Sequence, residues 1–182
     1  DWQKAALKNP VAYDQRKAAK TKGQNEILEG SEDIASIKRQ AQYATVYLAK
    51  DEAGNVETII LPVHGYGLWS TLYGFLALQT DAKTVVGLGF YEHGETPGLG
   101  GEVDNPKWKS MWPGKEVFDE EGDVAIRLVK GSVDPKAPNA EHKVDGLAGA
   151  TLTSNGVTNL LQFWLGKNGF GPYLEKVKEQ GV

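Results

Sequence analysis

The stretch Asp145-Gly146-Leu147-Ala148-Gly149-Ala150-Thr151-Leu152-Thr153-Ser154 runs straight into an apolar stripe at Val157, Leu160, Leu161, Trp164 and Leu165. The stripe has helical spacing, so one face of that helix must bury itself against another layer. The pattern predicts a helix from about Asn155, with Thr153 or Ser154 as its cap and Gly166 as its stop. Gly146, Ala148, Gly149 and Ala150 remove side-chain bulk ahead of it. The Thr151 hydroxyl therefore sits beside a helix N-terminus, where unpartnered N–H groups carry partial positive charge and suit an anion such as phosphate. The same residues also fit a plain turn with an N-cap. Asp145 either orders this turn or acts on the Thr151 hydroxyl.

The layer under that helix is read upstream. Residues 42–50 alternate and carry Tyr43, Thr45, Val46 and Tyr47; residues 51–55 are a turn; residues 56–63 form a second strand. Together they predict a hairpin. Residues 72–80 and 84–91 predict two more strands around Asp81-Ala82-Lys83, and residues 124–130 a fifth. Helix is expected over residues 1–22 with a break at Pro10, over residues 31–40 with Ser31 as cap, over residues 108–112, and from Pro172 onward. Residues 132–143 read as a polar loop. Strands in the middle and helices at the ends predict an α+β fold, a mostly antiparallel sheet flanked by helices. Residues 1–30 read as a helical extension and residues 31–182 as the domain.

Composition narrows the function. The 182 residues are 40% hydrophobic and 24% charged, ordinary for a soluble domain. Twenty basic and 24 acidic residues are mixed along the chain for a net charge of −4, with no basic stripe, so nucleic acid is not an expected partner. The absence of cysteine excludes disulfides, thiolate nucleophiles and cysteine-held metals. His64, His93 and His142 lie far apart, and no metal site is expected. The longest apolar run, residues 68–78, is broken by Ser70, Thr71 and Gly74, well short of the roughly 20 residues a membrane span needs. A start at Asp1 reads as a processed or excised piece whose anchor lies outside it.

Two further segments have unusual composition. His64-Gly65-Tyr66-Gly67-Leu68-Trp69-Ser70 begins like a dinucleotide fingerprint, but its third glycine is replaced by Ser70 and no helix pattern follows. It reads as a tight bend presenting Leu68 and Trp69, with Trp69 either core or one wall of an aromatic pocket. Residues 92–102 hold four glycines and Pro97, which specify a fixed backbone path. Such a loop would offer N–H groups, Glu95 and Thr96 to a planar polar ligand. A hydrolase built on His64 or Glu95 lacks an acid–base partner at a defined spacing.

Gly-Tyr-Gly-Leu-Trp-Ser at 65–70, Glu-Thr-Pro-Gly-Leu-Gly at 95–100 and the 145–154 segment, in this order and spacing, resemble the FMN-binding domain family over about residues 30–180. The pattern is most similar to the C-subunit type of sodium-translocating NADH:quinone reductases, and more distantly to the G-subunit type of Rnf electron transport complexes. The resemblance implies FMN attached covalently, through a phosphoester to the threonine that ends the Asp-Gly-x-Ser/Thr-Gly-Ala-Thr motif, here Thr151. It implies a separate flavin transferase that uses FAD and magnesium. It also implies an N-terminal membrane helix, a soluble domain on the periplasmic side of the inner membrane, and the other subunits of the reductase as partners. The domain would then be an electron relay within an oxidoreductase, with no catalytic residue of its own. Gly67, Leu68, Trp69, Glu95, Thr96, Leu99, Gly100, Asp145, Gly149, Ala150, Leu152 and Thr153 would shape the site. Lys130 is either a solvent-facing charge or a partner for the pyrimidine edge of the reduced ring. Ala148 departs from the family pattern, yet leaves the acceptor intact. The rival from another class is a module holding flavin or another phosphate ligand noncovalently, with no redox role.

Overall fold

The computed structural model describes residues 9–182. The part of the N-terminal helix expectation on residues 1–8 lies outside the described residues. In chain order the elements are α1 (Gln15–Ala18), β1 (Asn25–Ile27), β2 (Arg39–Ala41), β3 (Tyr47–Lys50), β4 (Val56–Tyr66), β5 (Thr71–Gln79), β6 (Val85–Glu92), α2 (Pro106–Lys109), β7 (Arg127–Val129), β8 (Lys143–Asp145), α3 (Thr151–Leu165) and α4 (Gly171–Gln180). Among them no helix is long and apolar enough to cross a membrane.

The expected hairpins form one antiparallel sheet in the order β3-β4-β5-β6. Successive side chains of a strand point to opposite faces. Ile59, Leu61 and Val63 of β4 therefore join Leu72, Leu76 and Leu78 of β5 and Val85, Leu88 and Phe90 of β6 on one buried face. Against it pack Val157, Leu160, Leu161, Trp164 and Leu165, the predicted stripe of α3, in a single core. The α+β class is as expected.

Two glycines let α3 touch β4. A Cβ at Gly65 would lie 2.5 Å from Leu160 Cβ, and one at Gly156 would lie 2.5 Å from the Tyr66 carbonyl oxygen. The second obstacle is backbone and has little room to yield. Gly156→Ala is expected to cost about 1–3 kcal/mol, seen as a lower urea midpoint at unchanged slope.

The structure corrects several local expectations. Residues 31–40 are not a helix. A 3-10 turn at Gly30–Glu32 leads into a loop wrapped on Asp33, whose carboxylate accepts the N–H groups of Ile37 and Lys38, both at 2.8 Å, before β2 pairs with β1. A side-chain acceptor has outcompeted the helix for these donors. The strand expected over residues 42–50 is ordered as β3 only from Tyr47. The fifth strand, expected over residues 124–130, shrinks to Arg127–Val129 and stays out of the main sheet. The start of β6 is already occupied, because Val85 N–H donates to the Lys115 carbonyl and Gly114 N–H donates to the Val85 carbonyl. β7 instead pairs in parallel with β8, at the end of the stretch read as loop. The helix expected over residues 108–112 starts two residues early, at Pro106–Lys109, because the Asn105 side chain caps it. Between residues 9 and 22 only a 3-10 turn at Pro10–Ala12 and α1 are helical.

Residues 9–30 hold to the rest through the pairing of β1 with β2, through Gln15, whose Oε1 accepts Thr45 N–H (2.8 Å), through Tyr13, whose hydroxyl donates to the Tyr43 carbonyl (2.8 Å), and through Arg16. The Arg16 guanidinium meets Glu92 at 2.8 Å and lies 3.6 Å above the Tyr73 ring. His64 stacks on Tyr73, with ring centroids 5.2 Å apart, and leans on Trp164 at 5.1 Å. Burial, and secondarily the Arg16 charge, push the His64 pKa down to about 4. An unfolded histidine takes a proton near about pH 6.5. The stabilising preference for the neutral ring is therefore full above that value and is lost as pH falls toward the folded pKa. His64→Gln, which takes up no proton, is expected to flatten the acid limb of a plot of melting temperature against pH.

Candidate functional site

The site is built on the start of α3, which begins one turn earlier than expected, at Thr151 itself. Ala150 stands at the N-cap position and supplies no side-chain bond. The two expected caps are otherwise engaged. Ser154 Oγ accepts from Leu147 N–H (3.0 Å) and donates to the Ala150 carbonyl (3.0 Å), closing the turn over residues 147–154. Thr153 is 1% exposed and donates its hydroxyl to Glu95 Oε2 at 2.7 Å. The positive end of a 15-residue helix is thus left without a capping oxygen, with exposed Thr151 and Leu152 at its tip.

Glu95 ties the three sequence segments together. It is only 5% exposed. Its Oε1 accepts the N–H groups of Leu68 (3.0 Å) and Trp69 (3.2 Å), while Oε2 takes the Thr153 hydroxyl. One carboxylate on the 92–102 loop therefore holds the 65–70 bend on one side and α3 on the other. It is satisfied from within the chain, and its place is that of a positioning residue. Gly67 and Gly100 are needed beside it. A Cβ at Gly67 would strike Glu95 Oε1, and one at Gly100 would come to 2.5 Å of Thr153 Oγ1.

The bend is closed by Gly67 N–H to the Ser70 carbonyl (2.8 Å) and by Gly94 N–H to Ser70 Oγ (2.6 Å). It holds Leu68 and Trp69 outward; Trp69 is 64% exposed and so is not core. In the facing loop, Leu99 N–H and Gly101 N–H both donate to the Thr96 carbonyl, at 3.1 and 2.9 Å. Gly98 and Gly149 have φ of +78° and +70°, which suit glycine. A Cβ on Gly149 would lie 3.1 Å from Leu99 Cδ2, so the loop reaches the turn before α3. Leu68, Trp69, Leu99 and Leu152 are all exposed apolar side chains on segments joined through Glu95. Thr96 is exposed on the same loop.

Asp145 Oδ1 accepts Val133 N–H (2.8 Å) and its carbonyl accepts Trp108 Nε1–H (3.0 Å), which ties the start of the turn to the 132–143 loop and to α2. Lys130 is exposed at the end of β7, whose Val129 pairs with Asp145. Sequence reasoning missed His93 and Asp104. His93 Nδ1 accepts Glu95 N–H (3.2 Å), which puts the ring proton on Nε2, 2.7 Å from Asp104 Oδ2. This pair braces the two ends of the loop. No local pattern marks them, because their separation closes only when the loop folds. Among the described residues no group of three His, Cys, Asp or Glu side chains is placed to hold a metal.

An α+β domain with two glycine-built loops bracketing an exposed threonine at a helix start is matched, over residues 67–166, by the family model described as the FMN-binding domain. The chain is 61% identical over 171 residues to the C subunit of the Na(+)-translocating NADH-quinone reductase of Pseudomonas aeruginosa, covering 94% of this chain and 65% of that protein. The corresponding protein of Yersinia pestis is 51% identical over 172 residues, 94% of this chain and 63% of that protein. The crystal structure of NqrC from Shewanella oneidensis superposes with a TM-score of 0.86 at 39% identity, covering 96% of this chain and 78% of that one. The chain belongs to the FMN-binding domain family, among the C subunits of Na(+)-translocating NADH-quinone reductases. It spans just under two-thirds of the length of the first two relatives.

Proposed function

We propose that residues 31–182 are a flavin-carrying electron-relay domain, with FMN joined through its phosphate to Thr151 Oγ. The observation that carries this reading is the exposed Thr151 hydroxyl at the uncapped start of α3, beside exposed Leu68, Trp69, Leu99 and Leu152. The residues present fit the group. Ala148 and Gly149 are exposed and keep the approach to the backbone open, while Gly146 is packed against the Val129 carbonyl and Ala150 is buried. The helix start offsets part of the phosphate charge. The apolar side chains suit a planar ring. When bound, FMN supplies one- and two-electron transfer.

Under this reading the chain's residues would act as follows. In attachment, Thr151 Oγ would be the nucleophile, giving up its proton to form the phosphoester with the FMN half of FAD while AMP is the leaving group, in a reaction that a separate transferase with magnesium would carry out. Glu95 fixes the spacing between bend, loop and helix, and Asp145 and Gly149 set the turn. Lys130, exposed at the end of β7, would supply positive charge to the ring's pyrimidine edge. A covalent link retains the carrier without any demand on binding affinity. By likeness to its relatives, the chain would serve a sodium-translocating NADH:quinone reductase. Its domain would lie on the periplasmic side of the inner membrane, anchored by a preceding helix and passing electrons between the other subunits. The relatives from quinone reductases favour this over an Rnf-type complex. The test is mass spectrometry of denatured protein co-produced with its transferase. A Thr151 peptide heavier by FMN less water is expected. An unmodified Thr151 peptide overturns the covalent reading, and visible absorbance lost on acid precipitation would assign the flavin to noncovalent binding.

A further inference from the structure

Behind the 65–70 bend lies a groove of about 340 Å³, between α1, residues 36–39 and the paired ends of β4 and β5. Four of its lining residues are Arg16, Lys20, Lys38 and Arg39, and no carboxylate lines it. That is contrary to the balance of a chain with net charge −4. Arg16 is paired with Glu92. No ion pair holds Lys20, Lys38 or Arg39 among the described residues, and the bond drawn for the Arg39 guanidinium is a long one, 3.5 Å to Asn25 Oδ1. Glu92 pairs with Arg16 and also feels the Lys20 charge, so Lys38 and Arg39 are the cations left without a carboxylate partner among the described residues, and something in the fold must hold them together.

The loop geometry does this. Asp33 spends its carboxylate on the backbone N–H groups of Ile37 and Lys38, not on the lysine ammonium. Tyr66 N–H donates to the Ala35 carbonyl at 2.9 Å, which pins the loop to β4. Ser36 and Lys38 sit at φ of 53° and 65°, a left-handed conformation that side-chain-bearing residues keep only where the surroundings impose it. Tyr66, Tyr73 and His64 are among the other residues that line the groove. The His64 ring stacks on Tyr73 and leans on Trp164. The volume is at the small end of the roughly 300–1,000 Å³ typical of ligand pockets, and larger than a bare ion requires.

We propose that this groove binds a phosphorylated organic anion, its phosphate among Lys20, Lys38 and Arg39 and its organic part against Tyr66, Tyr73 and His64. A phosphate monoester or diester supplies the charge and the several acceptor oxygens that these donors lack, and guanidinium pairs with it in a planar fork. The ligand is either a free phosphomonoester or a phospholipid headgroup; both present the same chemistry. The assignment is independent of the flavin reading. The two sites nevertheless share one bend, since the Tyr66 hydroxyl donates to the Trp69 carbonyl at 3.2 Å.

The experiment uses the purified chain with two probes. One is glycerol 3-phosphate in calorimetric titration. The other is flotation on phosphatidylglycerol–phosphatidylcholine vesicles against phosphatidylcholine alone. Lys38→Gln with Arg39→Gln is expected to weaken binding by about tenfold or more, the loss of one or two charge-assisted bonds. Lys50→Gln with Lys136→Gln, the same change in charge elsewhere on the surface, is expected to leave it intact. Should the first pair melt early, Lys20→Gln on the opposite wall reads the same loss. Binding also brings negative charge to a ring faced by Arg16, Lys20, Lys38 and Arg39, with Glu92 behind Arg16, so the His64 NMR titration is expected to move to higher pH. Saturable binding of glycerol 3-phosphate identifies a free phosphomonoester. Binding to the anionic vesicles alone, lost in the variant, identifies a lipid headgroup. No binding of either probe, or equal weakening by both double variants, overturns the proposal.

Discussion

Thr151→Ala protein, co-produced with a flavin transferase, is expected to carry no acid-stable flavin, while the parent chain and Thr151→Ser carry it. The effect is total because one oxygen atom is the whole of the proposed link, and alanine has nothing with which to form an ester. The fold should not notice. Thr151 is exposed, makes no hydrogen bond through its side chain among the described residues, and begins a helix in which alanine has the higher propensity. Stability is expected to stay within about 0.5 kcal/mol of the parent. Denaturing mass spectrometry and thermal unfolding on the same sample separate the two effects. Acid-stable flavin in Thr151→Ala would move the attachment to another hydroxyl. Thr153 is a poor substitute, because it is buried and its hydroxyl is committed to Glu95.

The largest loss of stability is expected from Glu95→Ala. Three donors, Leu68 N–H, Trp69 N–H and the Thr153 hydroxyl, would lose their acceptor at once. A buried donor left unpaired costs roughly 1–3 kcal/mol. Water reaches the bend end of this group but not Thr153, so a total of about 3 kcal/mol is expected. For a domain of this length that is a fall in melting temperature of about 10 °C. Glu95→Gln keeps the shape and one acceptor oxygen, and is expected to lose about half as much. The bend should also come away from the helix, which fluorescence of the exposed Trp69 would register. A Glu95→Ala protein with unchanged melting temperature and emission would show that the three segments are held by other means.

The sheet was legible because its signals are local. Strand-forming runs in residues 42–50, 56–63, 72–80 and 84–91, with Asp51 to Asn55 and Asp81 to Lys83 as turns, call for hairpins whatever else surrounds them. Residues 31–40 misled because Ile34 and Ile37 suggested a helix while Asp33 captured the two N–H groups a helix needs. The three site segments were equally legible as segments, since glycine density and an unexpected hydroxyl are visible in composition. How they join was not. Glu95 reads as a ligand-facing carboxylate in a polar loop, and proves to be a buried tie.

The amino-acid order alone determined the antiparallel hairpins, the apolar face of α3 and the nearness of Thr151 to its N-terminus, though it put the helix start one turn late, at Asn155. Each of these rests on backbone geometry and side-chain spacing within a few residues. Tertiary structure alone decided that Glu95 meets Thr153 across 58 positions, that His93 braces Asp104, and that Lys20 and Arg39 share one groove. A buried carboxylate takes whichever donors the packing brings to it, and the packing is chosen by the burial of the whole core. No window of sequence contains both partners together with the reason they meet.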